Sequence, residues 1–380
     1  MLGLCAKAGL VGSGVVAVDG TKVVASASSD ANLDYDRIAR EIIEQTIATD
    51  QAEDAEHGNA RGDELPPELQ SEAGRREWLT RELASGQAES ERGETEAAEG
   101  FDVERIGPNG RRGWLREAHR QLEQQRWLAT GQVPRSRADR LRLAAGSLED
   151  ELAVECRANT AYEAMREQRR LHDKRRLGGP TKPYMPPPVP AGEVNVTDPD
   201  SRRMKGNRRY IQGYNAQAVV NEQQIVLAAE ITTAAADFSQ LGPMLESALD
   251  EMHSAGVSEK PSVILADAQY WNEQHMDTLI AGHGIPVLIP PDGGRRNGER
   301  PGWTGGRFSF MRRVLASDAG KTLYRKRQAS IEPVFGHTKH NRQFNRFNHR
   351  GRQAVRTEWR LILMSHNLTK LHRHQAALAT

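Results

Sequence analysis

Residues Val15, Val16, Ala17 and Val18 form an unbroken apolar run, mostly β-branched. A strand of this composition has no solvent face, so helices must cover it on both sides. A second run of the same kind, Val263, Ile264, Leu265 and Ala266, lies far along the chain. Each run ends in an acid, Asp19 or Asp267. The two runs predict an α/β fold with strands buried on both faces. The stretch "GVVAVDGTKVVASA" (14–27) reads as two β-branched runs around Asp-Gly, a strand followed by a turn or a second strand.

The two strands are separated by a block of different character. Residues 36–175 are rich in Glu, Arg, Gln and Ala. Trp114, Leu115, Ala118 and Leu122 recur at helical spacing, which predicts a large helical insert. Its middle, roughly 50–100, is acidic and interrupted by Gly, a composition that suits partial disorder. "LGGPTKPYMPPPVPAG" is a Pro-rich connector. The predicted division is 1–35 and 191–380 for one sheet-bearing domain, with 36–190 as insert and connector.

Strand signals return at 210–233, where two apolar runs flank "NEQQ" as in a hairpin. Leu241, Met244, Leu245 and Ala248 then mark a helix that Asp237 or Ser239 would cap, with Pro243 in its first turn. A helix at 273–282, a strand "IPVLIPP" and a Gly/Arg-rich loop at 292–308 follow. Leu361, Met364, Leu368 and Leu371 stripe a C-terminal helix, which predicts a face packed into the core.

The 52 basic and 51 acidic residues nearly cancel, but they are segregated. Asp50–Glu99 holds 15 acids and 5 arginines. Lys321–Arg352 holds nine Lys or Arg, three His and one acid, Glu332. That basic segment is the candidate nucleic-acid surface. Cys5 and Cys156 form no CxxC pair, which leaves no zinc spacing or disulfide framework and fits a reducing cytoplasm. No apolar run reaches the ~20 residues that span a bilayer, and the first residues make a poor signal peptide.

Open α/β sheets carry functional groups just beyond their strand ends. Adjacent strands would bring Asp19 and Asp267 together, and a helix carrying Glu332 could complete a three-acid group. Clustered carboxylates repel unless neutralised, and hard divalent cations such as Mg²⁺ take oxygen ligands of this kind. Each acid also has a plain structural reading. Asp19 before Gly20 suits a turn, and Asp267 suits a helix cap. Glu332 precedes Pro333, which disfavours helix at that residue and suits a helix start. Asp237 is accounted for by capping, and Asp198 and Asp200 by turns.

"VAVDGTKV", "NVTDPDSRRMKG", "IQGYNAQAVVNEQQIVLAAEIT", "VILADAQYW" and "YRKRQASIEPVFGHTKHNRQFNRFNHRG" occur in that order. Together they resemble the catalytic domain of bacterial insertion-sequence DDE transposases, in the branch with a helical insert after the first catalytic strand. The resemblance covers most of the chain outside 36–190. It implies a ribonuclease-H-like fold with a mixed sheet flanked by helices, cleavage and joining of transposon-end DNA, and Mg²⁺ or Mn²⁺, as two ions. By position Asp19, Asp267 and Glu332 match the family's catalytic, metal-holding acids. Tyr324, Arg327 and Lys339 stand in for a Tyr, Arg and Lys that flank the family glutamate. Six residues separate Glu332 from Lys339, as in the family pattern, and four separate Arg327 from Glu332, where three is commoner. These cations, with Arg342 and Arg346 from the same basic segment, are the expected DNA contacts. Trp303 suits stacking on an unpaired base or ordinary packing.

Family members usually carry an N-terminal helical region ahead of the first catalytic strand, and this chain begins about where that strand does. The expected function is a metal-dependent transposase acting on transposon ends and target DNA as a homo-oligomer, with no membrane role. The alternatives are a truncated, non-catalytic fragment that binds DNA or forms oligomers with a full-length transposase, and a metal-dependent nuclease without strand transfer.

Overall fold

The computed structural model describes residues 1–12, 14–57, 110–128, 132–172, 183–206, 209–293, 299–300 and 302–379. They divide into two compact units, Met1–Asp30 with Asp200–Thr380, and Ala31–Pro199.

The first unit is built on a six-stranded sheet. Its strands are β1 (Val15–Val24), β2 (Arg202–Lys205), β3 (Tyr210–Asn221), β4 (Val226–Thr232), β5 (Val263–Leu265) and β6 (Val287–Leu288). β3 pairs antiparallel with β1, β2 and β4. On the other side β1 pairs parallel with β5, and β5 with β6. The helices are α1 (Leu2–Lys7), α2 (Leu241–Ser254), α3 (Glu273–His283), α4 (Gly306–Ala316), α5 (Asp318–Gly336) and α6 (Arg352–Leu378). This is the expected mixed α/β sheet flanked by helices, consistent with a ribonuclease-H-like fold.

The apolar runs behave as their composition demands. Val15, Val16, Ala17 and Val18 are all buried, as are Ile264 and Leu265. Leu241, Met244, Leu245 and Ala248 of α2 join the same core, and Pro243 lies in that helix's first turn. The hairpin forms at its expected place. Asn221 Oδ1 accepts from Ile225 N at 2.9 Å and holds the turn, in which Gln224 takes φ 62°.

Five expectations are corrected. Residues 15–24 form one continuous strand, because β3 pairs with β1 from Val16 to Val24 straight through Asp19 and Gly20. Asp237 does not cap α2. The N-cap is Gln240, without a side-chain bond, and Asp237 is buried. Glu332 is not at a helix start but near the end of the 19-residue α5, with Pro333 inside the helix. Proline there removes the amide that would bond the Ala329 carbonyl, and Gln224 Nε2 fills that place at 2.9 Å. The helix is therefore tolerated.

The C-terminal stripe is the fourth. Leu361, Met364 and Leu368 are exposed, and only Leu371 is buried. The buried face of α6 instead carries Val355, Trp359, Leu363, His366 and Asn367. Its polar members complete the sheet. The Asn367 amide both accepts from and donates to the Val226 backbone at 2.8 Å. Trp359 Nε1 donates to Gln217 O at 2.9 Å. Apolar periodicity cannot see a face buried through such bonds. The loop at 292–308 is also shorter than expected, since α4 begins at Gly306.

The second unit is helical, as predicted for the insert. Its helices are Tyr35–His57, Gly110–Leu128 and Arg137–His172, and Asn32–Leu33 pairs with Val194–Asn195. Ala118 and Leu122 pack with Val154 and Ala158, and Trp114 meets Tyr162 edge-on at 5.8 Å. The acidic stretch expected to be partly disordered lies outside the described residues from 58 onward. Among the described residues no helix is long and apolar enough to cross a membrane.

Candidate active site

β1 and β5 run in parallel with Val15, Val16 and Ala17 opposite Val263, Ile264 and Leu265. Two further residues in this register match Asp19 with Asp267. β5 has ended by then, so β1 loses its parallel neighbour. It regains one only at Val24, which accepts from Phe347 N at 2.8 Å and donates to Asn345 O at 3.2 Å. The gap between is a crevice of the sort that open sheets use for function.

Asp19 Oδ1 accepts from Gly20 N at 2.8 Å, and Oδ2 accepts from Arg327 Nη1 at 2.6 Å. Burial pushes the Asp19 carboxyl up to about 6, with Asp267 adding to the rise and Arg327 opposing it. Asp267 accepts from Gln269 N at 2.8 Å and caps the short turn Ala268–Tyr270. Burial raises its carboxyl as well. The capping reading of Asp267 therefore holds, and it does not exclude a site role.

α5 brings its cations to this crevice in part. Arg327 and Asp19 form a pair only 12% and 19% exposed, and Arg327 Nε is buried without a hydrogen-bond partner. Tyr324 OH donates to Ala266 O at 3.2 Å, beside Asp267, and burial raises its hydroxyl. Lys339 Nζ donates to Lys22 O at 2.8 Å, and burial lowers its ammonium, with the Lys22 charge contributing. Arg342 turns to α6 and donates to Thr369 Oγ1 and Ser365 O, each at 3.1 Å. Arg346 is exposed next to the Val24 bridge. Glu332 is exposed on α5 and makes no hydrogen bond or ion pair among the described residues. Nor do any three acid, His or Cys side chains among those residues sit close enough to share a metal ion. The structure thus joins Asp19, Asp267, Tyr324 and Arg327, sets Lys339 against Lys22 further along β1, and leaves Glu332 outside the group.

Sequence reasoning missed a buried polar layer behind Gly20. Asp237 Oδ1 accepts from Gln217 Nε2 at 2.6 Å and Asn215 Nδ2 at 2.7 Å. Tyr270 OH donates to Gln217 Oε1, tying the Asp267 turn to the same layer. Lys22 Nζ stands 3.9 Å from Asp237. The signal for Asp237 was its distance from the helix, since the N-cap lies three residues further on. Trp303 packs with Trp271 and Phe308, under the Arg300 guanidinium 4.6 Å away. Its packing reading is thereby accounted for.

A mixed sheet of this order, with Asp19 and Asp267 at its central strands, is consistent with a ribonuclease-H-like fold. Residues 157–368 match the family described as "Transposase DDE domain", more than half of the chain. The chain belongs to that family, which gives it a transposase function in general terms and DNA as its partner. Asp267 and Glu332 fall inside the matched span, and Asp19 lies ahead of it. No curated protein and no solved structure matches the chain.

Proposed function

We propose that the chain cuts and joins DNA at the ends of an insertion element by phosphoryl transfer, with Asp19, Asp267 and Glu332 as its acids. The observation that carries this reading is the strand register that sets Asp19 beside Asp267, and burial raises both carboxyls. Two half-buried carboxylates at neighbouring strand positions are costly unless a cation neutralises them. They present hard oxygen donors, which suit Mg²⁺ or Mn²⁺. Asp19 and Asp267 would hold such ions, and Glu332 joins them by its place in the family pattern. When bound, these ions neutralise charge at the phosphate and favour ionisation of the attacking water. Arg327 is the cation on Asp19 in this structure, and its unused Nε is a donor for a phosphate oxygen. Tyr324, Lys339, Arg342 and Arg346 extend the DNA contact, and a homo-oligomer would assemble on two ends in the cytoplasm.

The outward position of Glu332 favours a second reading, a DNA-binding fragment without catalysis that modulates a full-length transposase. Mg²⁺- or Mn²⁺-dependent cleavage of DNA bearing the element's ends separates the two. Cleavage that vanishes in Glu332→Gln and Asp267→Asn supports the three-acid site. Binding without cleavage in the unaltered chain supports the fragment.

A further inference from the structure

Lys22 lies three residues beyond Asp19 on β1, and its side chain is 20% exposed. Its Nζ makes no hydrogen bond among the described residues, and its nearest carboxylate, Asp237, is 3.9 Å away, beyond hydrogen-bond reach. An ammonium has three N–H donors, and here all three are unused. Burial, the largest influence, disfavours the Lys22 charge, while Asp237, Asp19 and Asp267 favour it.

The surroundings explain how a charge is kept there. Asp237 is fixed from below by Asn215 and Gln217, which face Lys22 and Gly20 across the β1–β3 register. The carboxylate is rigid and nearly dry, with a side chain only 6% exposed. It holds the ammonium near the crevice without taking its hydrogen bonds. On the open edge Lys339 donates to the Lys22 carbonyl, and burial and the Lys22 charge both disfavour the Lys339 charge. Two like charges in a half-buried place repel, and an anion between them removes the repulsion.

We propose that Lys22, oriented by Asp237, is a DNA-backbone contact of the acid site, donating to a phosphodiester oxygen beside the one attacked. The proposal rests on the DNA-processing reading of the Asp19–Asp267 crevice. Lys22 acts on substrate, and Asp237 is a positioning residue that acts through it. This gives the Lys of "DGTK" a task distinct from the Asp that precedes it.

The test is binding of a fluorescent DNA duplex of arbitrary sequence, without added metal so that cleavage is silent, across a salt series. Lys22→Met keeps the apolar stem and removes the charge. It should weaken binding roughly tenfold and lower the slope of log affinity against log salt by about 1. Lys22→Arg should restore most of both. If Lys22→Met fails to fold because Asp237 is left unpaired, the double variant Lys22→Met with Asp237→Asn carries the same expectation with no buried charge. Unchanged affinity and slope in whichever variant folds would show that Lys22 only balances Asp237, and would overturn the proposal alone. Absence of DNA binding by the unaltered chain would remove the crevice reading together with it.

Discussion

Arg327 and Asp19 stand 308 residues apart in sequence and 2.6 Å apart in space. The bond fastens α5, which carries Glu332, to β1. It is largely shielded from water, at 12% and 19% side-chain exposure. Breaking one partner of a buried pair leaves the other uncompensated, at a cost of about 3–5 kcal/mol at most. Asp19 can take up a proton, so the expected loss for Arg327→Gln is smaller. Asp19→Asn with Arg327→Gln should lose less than the two singles summed, with a coupling of about 1–3 kcal/mol. Urea unfolding of the four proteins measures it. Additive losses would mean that the pair does not join α5 to β1.

Asp19 also makes stability depend on pH. Its carboxyl titrates at about 6 in the folded chain, above the ordinary 3.8. Between those values the folded chain binds a proton that the unfolded chain has released. Stability therefore falls as pH rises through that window, by about 2–3 kcal/mol, and the loss is complete above it. Asp19→Asn has no such charge. Its stability relative to the unaltered protein should shift in its favour from about pH 4 to about pH 6 and then level off. Mg²⁺ at neutral pH should stabilise the unaltered protein and not the variant. A constant difference at every pH would remove Asp19 as the group responsible.

The sequence was legible where composition alone sets the outcome. Val15–Val18 cannot be anything but interior, and Asp267 follows from where the strand Val263–Leu265 stops. It was not legible where a role depends on register. Asp237 looks like a cap until β3 places Asn215 and Gln217 against it. Leu361, Met364 and Leu368 have helical spacing, yet Trp359, His366 and Asn367 on the adjoining face supply the bonds that α6 needs against the sheet. Pro333 reads as a breaker because the side chain that replaces its lost bond, Gln224, comes from a distant hairpin.

Gly20 should tolerate no side chain. A Cβ there would lie 2.8 Å from both Asn215 Oδ1 and Asp237 Oδ1, and closer still to Gln217 Nε2. These atoms belong to a bonded layer and cannot simply swing away. Gly20→Ala should cost about 1–3 kcal/mol, as overpacking does. It should also lower DNA cleavage, because Asp19 takes a bond from the Gly20 amide. Thermal unfolding with the activity of the folded fraction checks both. An unchanged melting point would show that the layer yields.

Glu332 offers the sharpest separation of stability from chemistry. It is exposed and bonded to nothing among the described residues, so Glu332→Gln should move stability by no more than about 0.5 kcal/mol. As a surface charge among cations its removal can only strengthen attraction for DNA, because one repulsive charge is lost. As a member of the acid site its removal should abolish metal-dependent cleavage while that binding is kept or improved. Binding and cleavage measured on one preparation decide between these roles. Retained cleavage with tighter binding would return Glu332 to an ordinary surface acid, and leave Asp19 and Asp267 as the only acids with a claim on the site.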